Sequence, residues 1–302
     1  MMRIAHVIHG YPVQSMGGTG LYVQALARAL ESEGHRVAIV SPDPSGSTRK
    51  IDGDPGLEHW CIGTQPVSRW RDTWNGPIKP WTEWCDAWKP DVVHIHHLSG
   101  WPLSLIERTP CRTVVTLHDY AIPCARGQML TPELTACIGP DSGRCTQCLG
   151  PALKSPPILN ALGRMAARVP SVYARARRMV APGKKHAPPA VEARIKAAQR
   201  ALDAADCVLS PSHDLAQRMD DLGFRRPSHS HLPLIHPPRP PSSPSSGPVR
   251  FLFASSIIPS KGIDRLLECF AELDGDSTLT IAGHAPPFDG HPGFAQRLRD
   301  RS

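Results

Sequence analysis

The chain has 302 residues, a formal net charge of +7, 33 prolines and nine cysteines, which is enough length for one large or two ordinary domains with a full core. It holds no run of about 18 apolar residues, the length a membrane helix needs, and polar and glycine residues interrupt its start by His9-Gly10. Neither a membrane span nor a secretory leader is therefore expected, a cytoplasmic location is, and the odd number of cysteines is expected to be thiols or metal ligands rather than disulfides.

Arg3-Ile4-Ala5-His6-Val7-Ile8 reads as a buried strand. After the turn Gly17-Gly18-Thr19-Gly20, the residues Val23, Leu26, Ala27 and Leu30 fall at helical spacing as far as Gly34, which makes this the opening of a βαβ unit. A helix N-terminus carries unpaired N–H groups and about half a positive charge, and glycines there let phosphates approach the backbone. The turn is either an anion site or a tight connection. Its spacing is not the GxGxxG of a dinucleotide fold, which counts against an epimerase-like sugar-nucleotide protein.

Further strands are predicted at 37–41, 91–96, 113–117 and 206–210, alternating with helical runs. That alternation predicts an α/β fold with a doubly wound, Rossmann-like parallel sheet over residues 1–235. His94 and His96 share a strand face, but no third ligand stands at helpful spacing and His97 faces the other way, so they read as core or cleft-lining residues. His118 ends a strand, where open α/β sheets place ligand-binding side chains. A neutral imidazole there suits a sugar hydroxyl or a phosphate; the alternative is a turn-stabilising role with Asp119.

Residues 123–149 read as a long loop with Cys124, Cys137, Cys145 and Cys148 in a C-x12-C-x7-C-x2-C spacing. Four thiolates could close a structural zinc site; reduced thiols, redox chemistry and an iron–sulfur cluster are the alternatives. Residues 151–200 carry 11 Lys/Arg against the single acid Glu192, so the rest of the chain is net −3. With the apolar stripe Leu159, Leu162, Met165, Ala166 and Val169, the stretch 154–200 suits either an anionic membrane surface or an ordinary solvated face. With Tyr173 as its one aromatic residue it lacks the stacking platform of a nucleic-acid binder.

His236 to Pro248 reads as a Pro/Ser linker. Beyond it, Val249–Ala254 and Leu279–Ala282 read as strands flanking a helix from Lys261 to Leu273, followed by about 20 polar, Gly/Pro-rich residues without predicted structure. Residues 249–302 therefore read as an incomplete second Rossmann-like domain, too short for a doubly wound one.

The motifs at 3–33, Asp91-Val92-Val93-His94-Ile95-His96-His97, Thr113-Val-Val-Thr-Leu-His118-Asp119, Ala205-Asp206-Cys207-Val208-Leu209-Ser210-Pro211-Ser212 and Ile258-Pro259-Ser260-Lys261-Gly262 follow the order found in family 4 glycosyltransferases, which the chain resembles from residue 3 to about 286. The resemblance implies a GT-B architecture and retaining transfer from a nucleotide-sugar donor to a glycan, lipid-linked or small-molecule acceptor, with no catalytic cofactor. It implies that Gly17, Gly18, Thr19, Gly20 and Lys261 serve the donor diphosphate and that His118 approaches the donor sugar. The cysteine loop would cover the acceptor side, with Arg126 and Gln128 facing the acceptor.

Two departures stand out. Ser255 replaces the family's usual glycine, and the paired glutamates that hold the donor are missing; Glu268 and Glu272 precede the place where that pair belongs. The expectation is thus a C-terminally truncated enzyme or, alternatively, a non-catalytic acceptor-binding subunit completed by a partner chain.

Overall fold

The computed structural model describes residues 1–10, 17–64, 78–149, 189–229 and 247–300, the last without 274, 287, 289, 290 and 292. Most of the basic stretch 154–200 and of the linker 236–248 lies outside the described residues. The chain divides into two compact units, one of residues 1–129, 138–149 and 184–236, the other of 130–137, 150–183 and 237–302.

In the first unit the order is β1 (Arg3–Val7), α1 (Gly18–Ser32), β2 (Arg36–Asp43), β3 (Arg49–Ile51), β4 (Glu58–Gly63), α2 (Lys79–Trp88), β5 (Val92–Ile95), α3 (Ser104–Arg108), β6 (Arg112–Thr116), α4 (Ser142–Leu149), α5 (Pro189–Ala204), β7 (Cys207–Ser210), α6 (His213–Asp221) and β8 (Ser228–His229). The sheet runs β3-β4-β2-β1-β5-β6-β7-β8. Every pairing is parallel except that of β3 with β4. A parallel sheet covered on both faces needs strands that are apolar throughout. Accordingly, Ile4, Ala5, Val7, Val37, Ala38, Ile39 and Val40 are all buried.

Two aspartates pin the strand entrances. Asp91, before β5, accepts the Arg3 N–H of β1 at 2.6 Å, and Asp206, before β7, accepts the Thr113 N–H of β6 at 2.7 Å. Each carboxylate takes a backbone donor at the start of a neighbouring strand, Arg3 of β1 and the buried Thr113 of β6, and so helps set the register from the N-terminal edge. Gly34, at φ +82°, ends α1 in a backbone region that glycine enters without strain.

Helix α2 buries Trp81, Trp84, Cys85 and Trp88, the i, i+3, i+4, i+7 face of an amphipathic helix. Trp81 and Trp84 stack with centroids 5.4 Å apart, as do Trp84 and Trp88 at 5.2 Å, and Trp101 meets Trp81 edge-on at 5.9 Å. On α5, Ala197, Ala198, Ala201 and Leu202 are buried, and the small alanines allow close approach to the core. Helix α6 is capped by the Ser212 hydroxyl, which accepts the Leu215 N–H at 3.1 Å.

Three strands escape the periodicity reading. Strands β3 and β8 are short, and β4 begins with the polar pair Glu58-His59. Glu58 is tolerated because Arg36 and Lys50 on the adjacent strands pair with it at 2.6 and 3.4 Å. The stretch expected to be loop throughout 123–149 instead ends in α4, started by the Asp141 carboxylate accepting the Arg144 N–H at 2.8 Å.

The second unit pairs β9 (Arg250–Ala254) with β10 (Thr278–Ala282) in parallel. Between them come a 3-10 turn (Pro259–Lys261) and α7 (Ile263–Ala271). The helix predicted from Lys261 is thus interrupted at Gly262, whose φ of +70° belongs to the left-handed region. Helix α8 (Phe294–Arg299) occupies the stretch read as lacking structure. Phe251 packs on Phe270 with centroids 5.8 Å apart, while Leu252 remains 67% exposed. Among the described residues no helix is long and apolar enough to cross a membrane.

Leu202 is fully buried in the last turn of α5, so Leu202→Ala is expected to cost about 2–5 kcal/mol through lost transfer energy and cavity formation. Urea unfolding of the variant beside the parent chain measures the loss.

Candidate functional site

Open parallel sheets bind ligands beyond the carboxyl ends of the strands, where the strand order reverses. Here the reversal falls at β1, with β2 on one side and β5 on the other. A row of imidazoles runs from His6 and His94, within β1 and β5, to His96 and His118, just beyond β5 and β6.

His6 of β1 lies beside His94 of β5 in the sheet register. Its Nδ1 is 3.0 Å from Nε2 of His96, and Nδ1 of His96 is 3.2 Å from Nε2 of His118. His94 Nε2 contacts the Thr116 hydroxyl at 2.7 Å. Tyr22, in the first turns of α1, lies edge-on to His96 and His118 with centroids 5.7 and 5.2 Å apart.

The direction of this chain follows from its buried end. His6 Nε2 is buried without a partner. An orphaned N–H is rarer than an orphaned acceptor, which assigns the His6 proton to Nδ1, donating to His96 Nε2. His96 then donates from Nδ1 to His118 Nε2, and the His118 proton rests on Nδ1. Burial keeps the row uncharged: it lowers His6 to about 3, assisted by His94, and His94 to about 4, assisted by His118. Burial also takes His118 to about 4 against the opposing pull of Asp119, and holds His96 well below its ordinary value with help from the neighbouring imidazoles.

His97 does face the other way. Its Nδ1 accepts the Ser99 N–H at 3.1 Å, so its Nε2–H donates to Asp119 Oδ2, also at 3.1 Å. The other Asp119 oxygen accepts the Ala121 N–H at 2.8 Å. Burial pushes the Asp119 carboxyl up, but the hydrogen bonds from His97 and the Ala121 N–H, with the neighbouring imidazoles, outweigh it and the net direction is down.

Gly17 is the N-cap of α1 and uses no side-chain cap. The Leu21 N–H to Gly17 carbonyl bond, at 3.1 Å, is the first of the helix. The N–H groups of Gly18, Thr19 and Gly20 thus have no acceptor within it. Gly17 and Gly18 are exposed, and a Cβ at either would meet nothing within 4 Å, so the glycines leave the helix entrance open. Lys261 closes the 3-10 turn of the second unit and is exposed.

Arg126 and Gln128 line a cavity of about 110 Å³ in the first unit together with His97, Asp119 and Arg194. Arg194 was not singled out from the sequence, although it stands three, four, seven and eight positions before the buried Ala197, Ala198, Ala201 and Leu202, a cation on the apolar face of α5.

The expectation that His94 and His96 lack a third partner is corrected by His6: the ligand atoms of the three lie within 4.8 Å of one another. His6 is remote in sequence and arrives only through the parallel register of β1 with β5. His6 Nδ1, His94 Nε2 and both nitrogens of His96 are engaged in the hydrogen bonds described above, and a metal bound through His6 Nδ1 or His96 Nε2 would have to displace the His6–His96 bond. Among the described residues of the first unit, Cys124, Cys145 and Cys148 do not form such a group. Cys124 and Cys145 instead act electrostatically on Arg194, and Cys148 Sγ lies 4.0 Å from Arg126 Nη1. Cys137 belongs to the second unit, and all nine cysteines are thiols.

A doubly wound sheet with polar side chains gathered at its switch point, followed by a second βαβ start, defines a GT-B-like α/β protein. Residues 16–187, more than half of the chain, match the profile of Glycosyltransferase Family 4, and the chain belongs to that family. Glycogen synthase of Mycobacterium tuberculosis is 28% identical over 116 residues, 32% of this chain and 28% of that protein. The chain thus spans less than a third of the length of the curated relatives it matches. The catalytic domain of starch synthase IV from Arabidopsis thaliana, bound to ADP and acarbose, superposes with a TM-score of 0.52 at 15% identity, over 99% of this chain and 71% of that one. A structure described as trehalose-6-phosphate from E. coli bound with UDP-2-fluoro glucose gives a TM-score of 0.50 at 11% identity, over 99% of this chain and 68% of that one. These likenesses show the fold.

The pH dependence of stability follows from the row. Folded-state values near 3 to 4 for His6, His94 and His118 lie below the roughly 6.5 of an unfolded histidine. The unfolded chain therefore binds more protons between these limits. Stability is expected to be full above about pH 6.5 and to fall progressively toward pH 4, which thermal unfolding across that range measures.

Proposed function

We propose that the chain transfers a glycosyl group, with retention, from a nucleotide-sugar donor to an acceptor bound by the first unit. The observation that carries this reading is the neutral imidazole row ending at His118, at the switch point and beside the open entrance of α1. Breaking the bond from the anomeric carbon to the donor diphosphate leaves negative charge on the departing oxygens, and the site must stabilise that charge as it develops. The first unit supplies the N-terminal N–H groups of Gly18, Thr19 and Gly20. Lys261, at the entrance to the first helix of the second unit, is the cation that the family resemblance assigns to the diphosphate.

His118 is half-buried and uncharged at neutral pH, so it hydrogen-bonds the donor sugar or phosphate without bringing an ion that must itself be desolvated. His96, and His6 behind it, fix its ring and tautomer as positioning residues. The binding of ADP in the starch synthase structure and of UDP-2-fluoro glucose in the second structure supports a nucleoside diphosphate sugar as donor.

Lys261→Ala is expected to lower turnover of the preferred donor by about 100-fold or more, the scale seen when one preorganised charge-stabilising donor is removed. His118→Ala is expected to lower kcat more than it raises KM. Hydrolysis of ADP-, UDP-, GDP- and dTDP-sugars, followed by nucleotide release, measures both. Absence of turnover with every donor would sink the reading, and donor binding without turnover would leave a non-catalytic binding subunit.

A further inference from the structure

Cys145 and Cys148 stand three apart on α4 of the first unit. Residues at that spacing share one face of a helix, and the helical repeat sets their Cα atoms about 5 Å apart. A disulfide spans Cα separations of about 4.4–6.8 Å, so the register is already in range. The Cβ atoms of such a pair are about 5–6 Å apart and must close to about 4 Å. The helix can yield that movement at its end, because Cys148 is its penultimate residue and terminal turns fray.

Each sulfur has an arginine beside it. Arg126 Nη1 donates to Cys148 Sγ at 4.0 Å, and Cys145 acts electrostatically on the guanidinium of Arg194. A cation beside a thiol favours the thiolate, the form that attacks a disulfide. Both thiols are half-buried, which leaves them within reach of a small oxidant. The contrast is with Cys85 and Cys111, whose thiols burial above all pushes up, the condition of an inert cysteine. Cys124 also acts on Arg194, but it comes from the loop after β6 and no helical register aligns it with either sulfur.

We propose that Cys145 and Cys148 form a reversible dithiol–disulfide site, oxidised by exchange with a small disulfide of the glutathione class. The Cys148 thiolate attacks one sulfur of the oxidant, forming a mixed disulfide and releasing one thiolate. The Cys145 thiolate then attacks the Cys148 sulfur, closing the ring and releasing the second thiolate. The two protons of Cys145 and Cys148 pass to the released thiolates, and the two electrons of the pair reduce the oxidant's S–S bond. Arg126 and Arg194 both line the cavity that holds His97 and Asp119, so closure draws Cys148 off Arg126 and carries the redox state to that cavity. Any effect on transfer rests on the glycosyl-transfer reading; the couple itself stands on α4 and its two arginines.

Equilibration of the full chain in glutathione buffers, from reduced to oxidised, tests the site when followed by alkylation and tryptic digestion. Cleavage after Arg144 and Lys154 places both sulfurs in one peptide, whereas Cys124 and Cys137 fall on two others. A single two-electron transition is expected, in which the 145–154 peptide becomes two hydrogens lighter and takes up no alkylating agent, with dithiothreitol restoring it. Arg126→Gln should slow closure about 3-fold, because a smaller thiolate fraction is only partly offset by a more nucleophilic sulfur, and Arg126→Lys should restore the rate.

The absence of a transition, a link that joins two peptides, or a closure rate unchanged in Arg126→Gln overturns the proposal. So does about one equivalent of zinc in the purified chain that shields both cysteines from alkylation under reducing conditions, because a metal would then hold the thiolates. A redox transition in a chain that turns over no donor would leave the couple standing and remove the glycosyl-transfer reading instead.

Discussion

Strand β1 is hydrogen-bonded along both edges, to β2 and to β5, and buried on both faces. From Ile4 to Val7 its side chains are buried, so its one ionisable interior residue, His6, has to be neutral and has to find its partner inside the sheet. The partner is another histidine, which must also be neutral, and whose second nitrogen then looks for a third. A chain of uncharged rings follows from one strand being central, and it emerges at the edge where the strand order reverses. The same centrality creates the crevice into which the row opens.

Charge is divided between the two edges of the first unit's sheet. At the N-terminal edge, Asp91 and Asp206 are spent on backbone N–H groups of adjacent strands and serve the framework. At the C-terminal edge the polar side chains engage one another and the loops instead: His118 takes up His96, Asp119 takes up His97 and the Ala121 N–H, and Arg194 holds the Ala121 and Pro123 carbonyls. Motifs that look alike in a linear reading, an acid followed by a hydrophobic strand and then a histidine, thus carry a structural residue at one end and a chemical one at the other.

Local periodicity made much of this legible. The helix ended by Gly34, the buried runs of β1, β2, β5, β6 and β7, and the second unit's strands follow from residues within a few positions of one another. What escaped depends on neighbours remote in sequence: β4 is readable only once Arg36 and Lys50 are known to flank Glu58, and His6 joins His94 only through a register 88 positions apart. Helix α4 escaped for a local reason: Ser142, Gly143 and Thr146 are weak helix formers, and its start rests on the cap at Asp141. Arg194 marks the middle case. Its place on the apolar face of α5 was visible, but that it is held by the Ala121 and Pro123 carbonyls, with Nε left over, is a property of the folded chain.

The tryptophan stack has a practical consequence. The sequence has no tryptophan after Trp101, so none falls in the second unit, and the described ones, Trp60, Trp81, Trp84, Trp88 and Trp101, belong to the first. Indole emission therefore reports solely on the unit that bears the histidine row, whereas far-ultraviolet ellipticity sums both. Two optical signals recorded on one unmodified sample separate the melting of the two halves without any label, and a gap between the curves would show that the second unit opens on its own.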